Sequence, residues 1–270
     1  MELVIKISAI VLTILLGLCV GSFLNVVIYR LPNNMSLAKP ASHCPKCNNP
    51  IKWYDNIPVI SYIILRGKCR HCHEKISFRY PFVELLNCVL WFVCLMMFTN
   101  FIIPSFTLNW LRFITSCVVV STLICIFFTD LDNMEIPEVF QLILLLCGLV
   151  LLLDNPTMEN IMLKVFGFIG AGLLFFIVNL IFKLIRKRDG IGFGDIELVA
   201  CAGLIIGGYK MIFALIISCV TGGIILLIIS LCKKDRNKEY PFAVMLTAGI
   251  AIALFVGDFV VNWYLGLLGV

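Results

Sequence analysis

The chain has 270 residues, of which 61% are hydrophobic and only 14% charged, and its mean hydropathy is +1.05. Soluble domains average about 45–50% apolar and about 25% charged residues, so an ordinary soluble globule is excluded, and so is disorder, which needs low hydrophobicity and high charge. What remains is an all-α polytopic membrane protein whose few charges (21 Lys+Arg, 16 Asp+Glu and three His) are informative by position.

A membrane helix needs about 20 apolar residues. Eight segments qualify in chain order: 3–28, 83–100, 111–130, 136–153, 160–182, 195–209, 211–232 and 242–266. The sixth is the shortest. Its fifteen residues reach about 22 Å, against a hydrocarbon core about 30 Å thick. Gly207-Gly208-Tyr209-Lys210 separates it from the seventh. The first segment does not read as a cleavable signal peptide. Glu2 precedes Lys6, a basic n-region is missing, and the apolar run is too long for an h-region.

Lys and Arg then orient the spans. Nine lie in 30–82, four in 183–188 (Lys183, Arg186, Lys187, Arg188) and four in 233–238 (Lys233, Lys234, Arg236, Lys238). Only Lys6, Arg112, Lys164 and Lys210 are scattered. With eight spans and both termini outside, the three rich segments all face the cytoplasm, seventeen of the 21 basic residues in total. The net charge of +5 then reflects this bias and attraction to anionic lipid. Because the basic residues are divided among three loops, nucleic acid is not an expected partner.

The 30–82 connection, 53 residues with all three histidines, is too long for a simple linker. It contains Cys44-Pro45-Lys46-Cys47 and Cys69-Arg70-His71-Cys72, a C-x2-C…C-x2-C pattern with 21 residues between the pairs. Such a pattern presents four thiolates to one tetrahedral Zn²⁺, and a metal supplies stability that so small a core lacks. Disulfides are the competing reading, disfavoured in a reducing cytosol. His43, His71 and His73 adjoin the cysteines and are alternative ligands. The nine other cysteines lie in or beside apolar spans, where Cys acts as a small hydrophobe.

Ionisable residues near membrane depth point to function. Thr129-Asp130-Leu131-Asp132-Asn133-Met134-Glu135-Ile136-Pro137-Glu138 joins the third and fourth spans, and Gly192-Phe193-Gly194-Asp195-Ile196-Glu197 opens the sixth. Both fall at cytoplasmic helix ends in a topology drawn from Lys and Arg alone. Two facing carboxylates do not both ionise readily, so they share one proton, the arrangement of aspartic proteases. The plainer reading makes Asp195 a helix N-terminal acid and Asp132 and Glu135 part of a solvated turn.

The chain resembles the type IV prepilin peptidases, GxGD-type aspartic proteases of bacterial membranes. The resemblance rests on Gly21-Ser22-Phe23-Leu24-Asn25 through Tyr29-Arg30-Leu31-Pro32, the cysteine pairs, Trp53-Tyr54-Asp55-Asn56-Ile57-Pro58, Leu65-Arg66-Gly67-Lys68 and Tyr80-Pro81-Phe82-Val83-Glu84. It covers nearly the whole chain and weakens after about residue 210. It implies that the catalytic pair is Asp130, which precedes Pro137 in a D-x6-P pattern, and Asp195, the acid of Gly192-Phe193-Gly194-Asp195. It implies cleavage of type IV prepilins and pseudopilins after Gly at the cytoplasmic face, in a type IV pilus or type II secretion setting. N-methylation of the new terminus with S-adenosylmethionine then follows, associated with the cysteine loop. Arg66, Gly67, Lys68 and Glu84 are the weak candidates for binding that cofactor, and no Gly-rich nucleotide fingerprint occurs. The expected divisions are a first helix at 1–29, a zinc-binding, methyltransferase-associated domain at 30–82 and a peptidase domain at 83–270.

Three positions depart from the family pattern. Glu138 stands for an Asp, Glu197 for a Lys, which adds negative charge beside Asp195, and Pro241-Phe242-Ala243-Val244 for Pro-Phe-Gly-Pro. The alternatives are a peptidase without methylation, an ion-coupled transporter using the same Asp pair, and a membrane-anchored zinc scaffold. Transporters often show internal repeats, and none is evident here.

Overall fold

In lipid, backbone N–H and C=O groups must be satisfied within the segment, which makes apolar spans helical. The computed structural model is accordingly helical nearly throughout, and it describes residues 2–99, 109–154, 156–188, 190–232 and 240–268. The basic cluster Lys233, Lys234, Arg236 and Lys238, and residue 100 at the end of the second expected span, lie outside the described residues. The helices are α1 (Glu2–Arg30), α2 (Ile60–Ile64), α3 (Arg79–Met97), α4 (Trp110–Asn133), α5 (Glu138–Asp154), α6 (Met158–Arg186), α7 (Phe193–Ile206), α8 (Gly208–Cys232) and α9 (Ala243–Leu268).

A helix stands over each of the eight expected segments, and α2 is an addition within the long loop. Six of them, α1, α3, α4, α6, α8 and α9, are long and apolar enough to cross a membrane. The other two are shorter, α5 with 17 residues and α7 with 14. At about 1.5 Å per residue α7 is about 21 Å long, and it stops where Gly207 takes φ +83°. Among the described residues no strand forms. The loop has two isolated antiparallel bridges, His43 with Pro50 and Lys68 with Lys75.

The chain forms two compact units, Met1–Cys125 and Ile126–Val270. In the first, α1 packs along α3. Buried Asn87 of α3 donates to the Gly17 carbonyl at 2.7 Å and accepts from Ser121 Oγ at 2.7 Å, while Trp91 Nε1 donates to that hydroxyl at 2.9 Å. Such bonds join helices where the surrounding lipid is as apolar as the side chains. At the loop end, Asn25 of α1 donates to the Tyr80 carbonyl at 3.2 Å. Arg30, at the end of α1, is only 7% exposed. Its guanidinium donates to the carbonyls of Ser36 (2.9 Å), Leu37 (3.4 Å) and Pro40 (2.7 Å), folding the start of the loop back on the helix.

In the second unit α7 is the hub, packed by α5, α6, α8 and α9. It meets α6 backbone to backbone. A Cβ added at Gly167 would sit 2.5 Å from the Gly203 carbonyl oxygen, and one at Gly203 would run into the Gly167 carbonyl. Only a small residue on each side permits so close a crossing. Two of the scattered lysines are structural. Lys210 Nζ pairs with Asp258 Oδ1 at 2.5 Å between α8 and α9, and Lys164 Nζ donates to the Leu151 carbonyl at 2.8 Å between α6 and α5.

Candidate active site and metal centre

Asp130 sits in the last turn of α4 and is buried, 5% exposed. The helix closes just beyond it, where the Met134 N–H donates to the Asp130 carbonyl at 2.9 Å and Met134 takes φ +56°. The carboxylate meets the start of α9. Val244 N–H donates to Asp130 Oδ2 at 3.1 Å, and the Ala243 N–H also bonds the carboxylate. The first N–H groups of a helix lack intrahelical partners, and its dipole favours a negative group there. The run Pro241-Phe242-Ala243-Val244, where the chain departs from the family pattern, therefore receives Asp130.

Asp195 lies half-buried in the first turn of α7. Its N–H donates to the Gly192 carbonyl at 3.1 Å. Its carboxylate turns back over the N-cap, since a Cβ on Gly192 would lie 3.4 Å from Asp195 Oδ2. The charge of Asp130 acts on Asp195, so the two acids, 65 positions apart in the chain, come within electrostatic range.

Neighbouring residues fix the approach to Asp195. Asn179 Oδ1 of α6 accepts from the N–H groups of Gly190 at 2.9 Å and Ile191 at 3.0 Å, pinning the segment just before Gly192. Gly194 packs on α5, where an added Cβ would lie 3.3 Å from both Ile136 Cβ and the Gln141 amide. Gln141 is buried, and its nitrogen donates to the carbonyls of Pro137 at 2.7 Å and Glu138 at 3.2 Å. Sequence reasoning missed Asn179, Gln141 and the Ala243–Val244 donors. The retained Pro241-Phe242 was the only available signal for the last of these. Two of the departing residues are neighbours, because Glu197 on α7 feels the negative charge of Glu138 on α5. Asp132 and Glu135 are exposed in the turn after α4.

In the first unit the four cysteines converge. The sulfur atoms of Cys44, Cys47, Cys69 and Cys72 all lie within 4.8 Å of one another. Cys44 Sγ and Cys72 Sγ are 3.8 Å apart. That matches the edge of a tetrahedron with Zn–S bonds of about 2.3 Å and is far too long for a disulfide. The donor set and its spacing thus fit a tetrahedral, thiophilic ion such as zinc. The two knuckles repeat one geometry. Cys44 N–H donates to Asn49 O (3.0 Å) and Asn48 N–H to Cys44 O (2.8 Å); Cys69 N–H donates to Glu74 O (2.8 Å) and His73 N–H to Cys69 O (3.0 Å). Asn48 and His73, each just after the second cysteine, have φ of +55° and +56°. Backbone N–H groups of Cys72 and His71 aim at Cys69 and bring its thiol down to about 7. The Glu74 N–H favours the Cys72 thiolate, but desolvation and the bonds to Cys69, Cys47 and Cys44 push that thiol up to about 12. Four crowded thiols of this kind favour a cation. The histidines stand outside the cluster; His43 Nδ1, for example, lies 3.0 Å from the Ala41 carbonyl.

The weak cofactor candidates take structural positions. Arg66 and Gly67 end α2 with φ of +50° and +66°, and a Cβ on Gly67 would press on the Tyr62 ring at 3.0 Å. Lys68 bridges to Lys75. Glu84 Oε2 accepts from Val59 N–H at 2.7 Å, holding a β-branched residue at φ +60°, a conformation such residues rarely adopt. None of the four lines the cleft of about 410 Å³ that runs beside α1 past Ser22, Phe23, Arg30, Ser42 and Asn56.

Fold and side chains together define a helical membrane protein with two acids in electrostatic range of each other and a four-thiol loop. Residues 15–98 match the family described as the bacterial peptidase A24 N-terminal domain, and residues 117–227 match the type IV leader peptidase family. A protein of Neisseria gonorrhoeae named prepilin leader peptidase/N-methyltransferase is 32% identical, over 95% of this chain and 95% of its own. Proteins of the same name from Legionella pneumophila (32%, covering 93% of each chain) and Vibrio cholerae (36%, covering 72% of this chain and 76% of its own) are also similar. The chain belongs to the type IV leader peptidase family, as an enzyme of a peptidase class joined in these relatives to N-methyltransferase activity. No solved structure matches it.

Proposed function

We propose that the chain removes the leader peptide of type IV prepilins and pseudopilins, cutting after Gly with Asp130 and Asp195, and then N-methylates the new terminus. The observation that carries the peptidase assignment is that two acids, from α4 and α7, lie within electrostatic range, one of them held by the N-terminus of α9. In this scheme the pair shares one proton. The ionised carboxylate takes a proton from water as the water oxygen attacks the peptide carbonyl, and the protonated one donates to the carbonyl oxygen. The tetrahedral intermediate collapses with protonation of the leaving nitrogen. Asn179 and Gln141 are positioning residues, since they hold backbone near Asp195 and touch no reacting atom.

Residues 30–82 form a zinc domain in this assignment, with Cys44, Cys47, Cys69 and Cys72 as ligands, and 83–270 carries the peptidase. The methyl donor is S-adenosylmethionine, which supplies an electrophilic methyl group to the α-amine. The protein lies in the bacterial cytoplasmic membrane with both termini outside, so that loop and acids face the cytoplasm. Support for this orientation is the crowding of Lys and Arg into three loops. The four-thiol cluster favours the two-activity enzyme over a peptidase alone.

The test is a cognate prepilin mixed with purified enzyme and S-adenosylmethionine, read by mass spectrometry. Wild type yields a cleaved, methylated product, whereas Asp130→Asn and Asp195→Asn yield intact prepilin while still inserting normally. Full cleavage by either variant removes the acid pair, and an unmethylated product removes the second activity.

A further inference from the structure

The loop domain exposes apolar side chains that neither the acid pair nor the thiol cluster uses. Ile60, Ile63 and Ile64 are 53%, 68% and 68% exposed. At positions i, i+3 and i+4 of α2 they share one side of the helix. The other side of α2 leans on the start of α3. The Tyr62 ring meets Phe78 edge-on with centroids 6.4 Å apart, and Phe78 lies 6.3 Å from Phe82 in the first turn of α3. Phe78 and Phe82 are exposed, and so are Leu85 and Val89, which continue the Phe82 stripe at i+3 and i+7 along α3. Since α3 is long and apolar enough to span a membrane, the exposed side of α2 lies beside the point where α3 enters the bilayer. The short turn packed beside α2 presents Trp53, an interfacial residue type. Charge agrees, with nine Lys+Arg against two acids, Asp55 and Glu74, in residues 30–82. Of these acids, Asp55 is already paired with Arg70 at 2.5 Å.

We propose that Ile60, Ile63, Ile64 and Phe78 form a lipid-docking face that rests the four-cysteine domain on the headgroup region of the leaflet that α3 enters. Isolated exposed apolar residues need no explanation, but three on one side of a single helical turn, beside a membrane-entering helix, mark an interaction surface. Apolar side chains beside an excess of Lys and Arg are the pattern of segments lying in an anionic interface. The domain is then held at three places, by α1, by α3 and by this face, and the metal site stays at a set height above the bilayer.

The experiment places a reporter on the face. Ile64→Trp and Phe78→Trp, in the full chain in anionic nanodiscs, are read by subtracting wild-type emission. Lipids brominated close to the headgroup should quench each new tryptophan about twofold or more, and lipids brominated at the chain end should quench it much less. Asn49→Trp, in an exposed knuckle position, should be quenched by neither. Absence of quenching at both face positions in protease-resistant protein overturns the proposal, as does quenching that appears only when a second protein is added. Should the variants fail to fold, Trp53, isolated as wild type minus Trp53→Phe, carries the same test with the same outcomes.

Discussion

The two units hold their helices together differently. In Met1–Cys125, Asn87 of α3 joins α1 through Gly17, Asn87 and Trp91 join α4 through Ser121, and four thiols gather outside the long helices in the loop. In Ile126–Val270, α6 and α7 touch through Gly167 and Gly203, and the two singled-out acids, Asp130 and Asp195, sit at helix ends. The difference follows from what each part must do. A loop domain with few apolar residues needs a metal to be rigid. In the second unit, bulky residues at the α6–α7 crossing would displace α7 and Asp195 with it.

That contrast is open to experiment, starting with the largest expected effect. Asp130→Asn or Asp195→Asn should lower cleavage by about 10²–10⁴-fold and leave the metal content of the loop untouched. Next, Cys44→Ser or a strong chelator should remove about one zinc per chain, as counted by elemental analysis. Methylation should be lost with the metal while most cleavage persists. Equal loss of both activities would break the division of labour between the units. A smaller effect is expected at the glycine crossing. Gly203→Leu overpacks the α6–α7 contact at a cost of about 1–3 kcal/mol, so cleavage should drop together with thermal stability. Gly170→Leu, where an added Cβ meets nothing within 4 Å, should change neither. The smallest effect belongs to Asn87→Leu, worth about 1 kcal/mol by the usual strength of interhelical bonds in membranes. It should loosen the first unit, measured by faster proteolysis of the loop, without altering cleavage.

Hydropathy was enough to find all eight long helices, because 15–25 apolar residues in a row have few alternatives. The shortness of α7 was legible too, from the Gly207-Gly208 break. The cysteine spacing foretold the cluster, and the two acids picked out by depth, Asp130 and Asp195, come within electrostatic range of each other. What was hidden were the partners. These helices are apolar on every side, so the pattern that marks a buried face in a soluble protein is missing, and Gly167 and Gly203 look like any other glycines until the helices cross. Asn179 is one polar residue in a long apolar run, with no local sign that it accepts from Gly190 and Ile191. The adjacency of Glu138 and Glu197 was equally invisible, although each was noticed singly. Backbone donors such as Val244 N–H cannot be read from side-chain identity at all.

The hold of α9 on Asp130 has a consequence for how the enzyme is born. Asp130 and its Val244 donor are 114 positions apart. At a synthesis rate of about 5–20 residues per second, the ribosome takes on the order of 6–20 s to travel between them. Throughout that interval both acids of the pair come to exist in the membrane, yet the amide that receives Asp130 has not been made. The surroundings of Asp130 are therefore incomplete in the nascent chain until α9 has been made and has packed against α4.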